Sequence, residues 1–315
     1  MSWKGINPSL GGMTAALNAV MQNVPSPLLR SLDGAQDLFV FSDYSGMDAP
    51  GSAYLTYSFM LTDVARSQHA LDALRSVRRT YGLGLRRMSY KGLSDAKKVS
   101  AVPAFIAGAR QLHAHVITFA VAKSIRSLFH RSNRGNSDAE LSRIADKYKS
   151  GGQEHLARIL HFFSFSLAGI SSPGQHVDWI TDVDQIAPEQ KWLADLVTLA
   201  GNLSSHYLTH SLGHFRLGTT RSDDGTRLLE DVCAVPDFFA GGIAETLSHQ
   251  SVPSLSLPNG LVVPLAPTVR RKAVDVMRLL VNDGPGALRS TCLCIDPDGN
   301  SWRVQARYFH EMPQT

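Results

Sequence analysis

The sequence predicts an α/β fold, a mixed sheet flanked by helices, with a C-terminal helix and β-hairpin appended. Three observations predict it. Short runs rich in β-branched and aromatic residues alternate with longer segments whose apolar residues recur at helical spacing. The 315 residues are 43% apolar, which is enough for a sizeable core. No internal repeat and no low-complexity segment interrupts this alternation.

Residues 1–36 read as a leader with one helix, Met13 to Met21, between the Gly11-Gly12 and Pro25/Pro27 breaks. The main domain is expected over 37–250. Within residues 38–46 an apolar run ends on the lone carboxylate Asp43 and breaks at Gly46, and is its first strand; the turn Met47 to Ser52 leads to a second, antiparallel strand, Ala53 to Leu61. Thr62 or Asp63 is placed to cap a helix that carries Val64, Ala65, Leu71, Leu74 and Val77 on one side. His115 to Ala122 alternates with period two and is a third strand, followed directly by Lys123. Helical patterns run from Ser137 to about Leu167, broken at Gly151-Gly152.

Val177 to Val183 is a fourth strand, and Pro188 opens a helix that carries Trp192, Leu193, Leu196, Val197 and Leu199. Phe215 to Thr219 is a further strand; Leu228 to His249 is an amphipathic helix interrupted by Pro236. Residues 251–315 are read as an extension. Pro267 and Thr268 start its helix, with Ala273, Met277, Leu280 and Val281 inward, and a hairpin closes around Pro297-Asp298-Gly299-Asn300.

The net charge of +4 conceals an asymmetry. Between Arg75 and Lys149 sixteen Lys and Arg face four acids, so this quarter carries +12 and the remainder −8. A basic surface for a polyanion beside an acidic remainder fits that split, and so does a set of solvated helix faces. No stretch approaches the roughly 18 uninterrupted apolar residues of a membrane helix, and the start of the chain lacks a secretory pattern, so a cytoplasmic protein with no membrane partner is expected. Of the three cysteines, Cys292 and Cys294 are taken to point to opposite faces of one strand. With Cys233 they fit neither a disulfide framework nor a four-ligand zinc site.

Carboxylates stand on three separate elements: Asp43 after the first strand, Asp182 and Asp184 after the fourth, and Asp231 or Asp237 on the late helix. Parallel neighbouring strands bring their ends to one sheet edge. Acids gathered there suit hard divalent cations, Mg²⁺ or Mn²⁺, which orient a water and stabilise the leaving oxygen of a phosphodiester. Asp43 also has an ordinary reading as a turn opener.

The order of these elements resembles the bacterial family called domain of unknown function 3800. The likeness covers roughly residues 37–245. Its opening D-E-S-G reads here Asp43-Tyr44-Ser45-Gly46; its later Asp-Lys falls on Ala122-Lys123; its next acid-bearing strand is Ile180 to Asp184; its closing helix matches Val232 to Gly241. The resemblance implies a ribonuclease-H-like fold, ligand roles for Asp43, Asp184 and Asp237 with Asp182 as auxiliary, and Mg²⁺ or Mn²⁺ as cofactor. Three positions depart: Tyr44 stands in place of Glu, Ala122 in place of Asp, and Met88-Ser89-Tyr90-Lys91 carries no acid.

Two functions follow as expectations. The first is a divalent-metal-dependent nuclease or phosphodiesterase acting on nucleic acid. The second is a catalytically degenerate module of the same fold that binds nucleic acid or a protein partner, with a homo-oligomer or a bacterial defence assembly as settings. In either, Arg86, Arg87 and Lys91, with Tyr81 and Tyr90 interleaved, are candidate nucleic-acid contacts, as are Lys123, Arg126, Arg131 and Arg134. His206, His210 and His214 have a zinc-like spacing, but about 100° per residue carries the third away from the first, and helix-end histidines are the ordinary reading. Gly82-Leu83-Gly84 lacks the strand and third glycine of a nucleotide loop.

Overall fold

The computed structural model describes residues 3–129, 152–182, 191–249, 255–257, 260–265, 271–279 and 288–311. α1 (Gly12–Gln22) precedes an antiparallel meander of β1 (Asp37–Ser45), β2 (Tyr54–Thr62) and β3 (Ala114–Ala122); α2 (Gln68–Thr80) and α3 (Ala96–Ala109) lie between β2 and β3. Then come α4 (Gly152–Ile170), β4 (His176–Thr181), α5 (Lys191–Tyr207), β5 (Phe215–Thr219) and α6 (Leu228–Ser248). β6 (Leu255–Leu257), β7 (Gly260–Leu265), α7 (Arg271–Met277), β8 (Arg289–Asp298) and β9 (Ser301–Glu311) follow. The described strands form one mixed sheet in the order β5-β4-β1-β2-β3-β8-β9-β7-β6. β4 runs parallel to β1, β5 to β4, and β8 to β3.

Strand alternation sends successive side chains to opposite faces, and each face has its own helices. Leu38, Val40 and Tyr44 of β1 join Tyr57, Phe59, Phe119 and Trp179 under α1, α4 and α5. Phe41 of β1 joins Met60, Val116 and Cys292 under α2, α3, α6 and α7. Stacked rings, Phe119 on Phe162 and Phe163 on Trp179, each 4.1 Å between centroids, lock α4 to the first face.

Several expectations are corrected by this packing. The segment expected as a leader belongs to the core, since Trp3, Ile6, Leu17 and Met21 are buried in the first cluster. The hairpin expected as an appendage is part of the sheet, because β8 pairs with β3 from His115↔Arg289 to Val121↔Ile295. The α2 cap is Ser67, while Asp63 accepts from the Arg66 N–H and closes the preceding turn. Pro236 lies inside one continuous helix. Residues two apart on a strand share a face, so Cys292 and Cys294 point the same way, with Sγ atoms 4.0 Å apart. Residues 137–151, Pro188, Pro267, Thr268, Leu280 and Val281 lie outside the described residues. Among the described residues no helix is long and apolar enough to cross a membrane.

Two histidines, the buried His115 and the half-buried His155, make stability sensitive to acid. Burial, and then the charges of Arg30 and Arg289, bring His115 down to about 3; burial and Arg158 bring His155 down to about 4. The unfolded chain therefore takes up these protons first, so the histidines' contribution is complete above about pH 6.5 and is lost as pH falls towards those values. Between about pH 6.5 and pH 5 each such histidine costs about 2 kcal/mol. Urea unfolding of the parent and of His115→Gln at pH 7 and pH 5 is expected to show this loss as the difference between the two proteins, because buried carboxyls whose pKa is raised gain stability over the same interval in both.

Candidate active site

Asp43 is the seventh residue of β1, and its parity with Phe41 turns it towards α6. The β1–β4 register ends on Ser42↔Thr181, so the next pair along the two strands is Asp43 and Asp182, on the same face. α6 packs against β1 and β2 and carries Asp237 to this point. Burial, and then the negative charges of Asp237 and Asp182, hold the Asp43 carboxyl well above the usual carboxylate range, and the Asp43 and Asp237 carboxyls are hydrogen-bonded to each other. Burial also raises Asp237, against the opposing pull of the Tyr90 N–H, which donates to its Oδ2 at 2.7 Å, and of Arg87.

Arg87 is the cation of this cluster. Its Nη2 lies 2.7 Å from Asp182 Oδ2, and Thr220 Oγ1 donates to Asp182 Oδ1 at 3.3 Å. Burial alone would lower the guanidinium, but the ion pair with Asp182 and the charges of Asp237 and Asp43 raise it. The Arg87 Nε is buried, with no hydrogen-bond partner among the described residues. Three carboxylates thus share one arginine at the end of β1 and β4.

A braced loop presents Arg87. Arg78, on α2, makes a forked ion pair with Asp231, Nε to Oδ2 at 2.8 Å and Nη2 to Oδ1 at 2.5 Å. Its Nη1 donates to the carbonyls of Gly84 at 2.6 Å and Arg86 at 3.2 Å. Downstream, the Tyr90 hydroxyl donates to Glu245 Oε2 at 2.7 Å, and its ring lies on the backbone of Gly241, where a Cβ would collide with it. Only glycine lets Tyr90, and with it the N–H that holds Asp237, come so near α6.

Of the sequence-derived candidates, Asp43, Asp182 and Asp237 are brought together. Asp184 lies outside the described residues, as do Arg131 and Arg134. Asp231 is committed to Arg78. Arg86 pairs with Asp95 at 3.3 Å, and the Lys123 Nζ donates to the Ala49 carbonyl at 2.9 Å. Lys91 and Arg126 are exposed. Tyr44 faces the opposite side of the sheet from Asp43, with its hydroxyl 2.9 Å from Ser42 Oγ. A side chain at that position cannot share the Asp43 face, so Tyr44 takes nothing from the cluster.

His206, His210 and His214 do not converge. His210 Nε2 is 3.0 Å from Ser171 Oγ, and His214 stacks on His176 at 3.9 Å. Among the described residues no three or more of His, Cys, Asp and Glu form a group arranged to hold a metal ion. Sequence reasoning missed Thr220 and the Tyr90 N–H, which act through position and backbone and leave no residue-type signal. Comparison with protein-family models, with curated proteins and with solved structures finds no match for this chain.

Proposed function

We propose that this chain is a divalent-metal-dependent nuclease or phosphodiesterase acting on nucleic acid, on a ribonuclease-H-like sheet. The observation that carries the reading is the meeting of Asp43, Asp182 and Asp237, from two parallel strand ends and a helix, around one cation. A meander of three antiparallel strands, with β4 and β5 added in parallel on the β1 side, supports the ribonuclease-H-like part.

The donor chemistry fits Mg²⁺ or Mn²⁺. Such ions bind through one or two carboxylates, several waters and the substrate's own phosphate oxygens, so Asp43 and Asp237 are enough protein ligands, with Asp182 in reserve. When bound, the ion would polarise the phosphodiester and lower the pKa of the attacking water. The chain's own residues place the scissile phosphate. Arg87 offers a planar fork to its oxygens, while the Tyr90 N–H and Thr220 hydroxyl fix the carboxylates against rotation. The exposed Lys91 and Arg126 are available to the backbone on either side.

One observation favours the inert reading instead: Arg87 already neutralises the acids, so the fold does not need a metal. Calorimetry with Mn²⁺, with cleavage assays on single- and double-stranded DNA and RNA, separates the two. Metal binding with divalent-dependent cleavage is expected; nucleic-acid binding without either would leave the inert module.

A further inference from the structure

We propose that Cys292 and Cys294 are a redox modification site, a thiol pair that hydrogen peroxide oxidises to a reversible disulfide within β8. The proposal does not depend on the activity assigned to the acid cluster. Three observations carry it.

The two sulfurs already face one another. Their side chains share one face of the strand, and the Sγ atoms stand 4.0 Å apart, buried beneath the helices of the second face. A rise of about 3.3 Å per residue sets their Cα atoms about 6.6 Å apart, at the long end of the span a disulfide bridges. The bridge can close only by shortening a strand that is held on both sides. β3 holds it at Thr118↔Cys292 and Ala120↔Cys294, and β9 at Cys292↔Arg307 and Cys294↔Gln305. A bond drawn against such restraint is readily reduced, which makes it a reversible modification and not a structural link.

The second observation is a cation beside one of the sulfurs. Arg307 hydrogen-bonds Cys294, and its Nη2 lies 2.9 Å from Asp296 Oδ2. A guanidinium so placed favours a thiolate on Cys294, the form that attacks an oxidant. Burial, and then the contact with Cys294, push the Cys292 thiol well up, so Cys292 keeps its proton until it resolves the intermediate. Third, the same face runs on from Cys294 to the half-exposed Asp296, where the Tyr54 hydroxyl donates to Asp296 Oδ1 at 2.7 Å. That polar edge suits a small, water-like oxidant and shuts out a bulky one such as oxidised glutathione.

The chemistry balances with peroxide alone. The Cys294 sulfur attacks one peroxide oxygen; an S–O bond forms, the O–O bond breaks, and the departing hydroxide takes up the Cys294 proton as water. The Cys292 sulfur then attacks the Cys294 sulfenic acid; the S–S bond forms, the S–O bond breaks, and the hydroxyl leaves with the Cys292 proton as a second water. The two sulfurs lose two electrons in all, and the two peroxide oxygens gain them.

The test treats the folded parent with hydrogen peroxide, alkylates the remaining thiols in urea, and weighs the tryptic peptide 290–303, which holds Cys292 and Cys294 without Cys233. That peptide is expected to escape alkylation and to weigh about two mass units less than its dithiol form, while Cys233 is still alkylated. Reduced glutathione should return both thiols. In Cys292→Ala the reaction should stop at a sulfenic acid on Cys294 that dimedone traps, and in Cys294→Ala peroxide should be consumed about tenfold more slowly than in Cys292→Ala. Two alkylatable thiols after excess peroxide, or a peptide carrying only sulfinic acid, overturns the proposal. So does a disulfide that forms no faster than the whole chain unfolds, as followed by hydrogen exchange under the same conditions. The peptide mass and the exchange rate are read on the parent, so the proposal stays testable if either variant fails to fold.

Discussion

Asp43→Asn is expected to lower divalent-dependent cleavage by about a hundredfold or more, because groups that merely orient a metal's ligands already cost up to about that much when removed. Asparagine keeps the shape of the side chain and loses the charge. Its amide can donate to Asp237 where the Asp43 carboxyl now shares its proton, so the buried contact survives. The thermal midpoint at neutral pH should therefore match or exceed the parent's, since one of two carboxyls that repel each other in a dry site is gone. Cleavage rate and thermal midpoint measured on the same preparation check this. Full activity in Asp43→Asn would remove Asp43 from the site.

Asp231→Ala is expected to cost about 3–5 kcal/mol of stability, the range for stripping one partner from a buried ion pair. The Asp231 side chain is 2% exposed and that of Arg78 11%, so the orphaned guanidinium would find little water. The loss should not be confined to stability. Arg78 also holds the Gly84 and Arg86 carbonyls, and once unpaired it lets the segment bearing Arg87 drift. Urea unfolding measures the first effect and Mn²⁺ calorimetry on the folded fraction the second. Replacing both partners, with Asp231→Leu and Arg78→Met together, should restore most of the stability, because the destabilising element is an unpaired charge and not the absence of a bridge.

Much of the sheet was legible in the sequence, and the reason is physical. β1, β2, β3 and the final hairpin have β-branched and aromatic runs with turn residues at their ends, and such local signals survive whatever packs around them. The order of those strands across the sheet was not legible. That β8 would join β3, or that Trp3 would reach the core, depends on contacts between distant residues, to which period and propensity are blind. β6 is a three-residue strand at the edge of the described sheet, β7 is a six-residue strand beside it, and α3 carries Pro103 inside it, so the local signal of each is weak; the Asp95 cap, whose side chain accepts from Lys97 N at 2.9 Å and Lys98 N at 3.3 Å, is the signal that marks α3.

The candidate site divides in the same way. Asp43, Asp182 and Asp237 could be named because acids at strand ends and on an amphipathic helix are conspicuous. Arg87 was named as a phosphate contact, but its hold on Asp182 is a meeting of residues far apart in the chain, with no mark in either neighbourhood. The forked pair of Arg78 and Asp231 is hidden for the same reason.

The parallel pairing of β8 with β3 also bears on how the chain is made. β3 is complete at Ala122, yet the strand that covers its outer side begins only at Arg289. A ribosome therefore exposes the whole meander, and the helices of both faces, while one side of β3 still presents unpaired N–H and C=O groups to whatever is nearby. Such an edge invites pairing with a neighbouring nascent chain. The residues on it are apolar throughout, His115 and Thr118 excepted, so nothing charged repels that neighbour. Expression at lower temperature, or with a chaperone that shields strand edges, is expected to raise the soluble yield more than any change made to the surface of the finished fold.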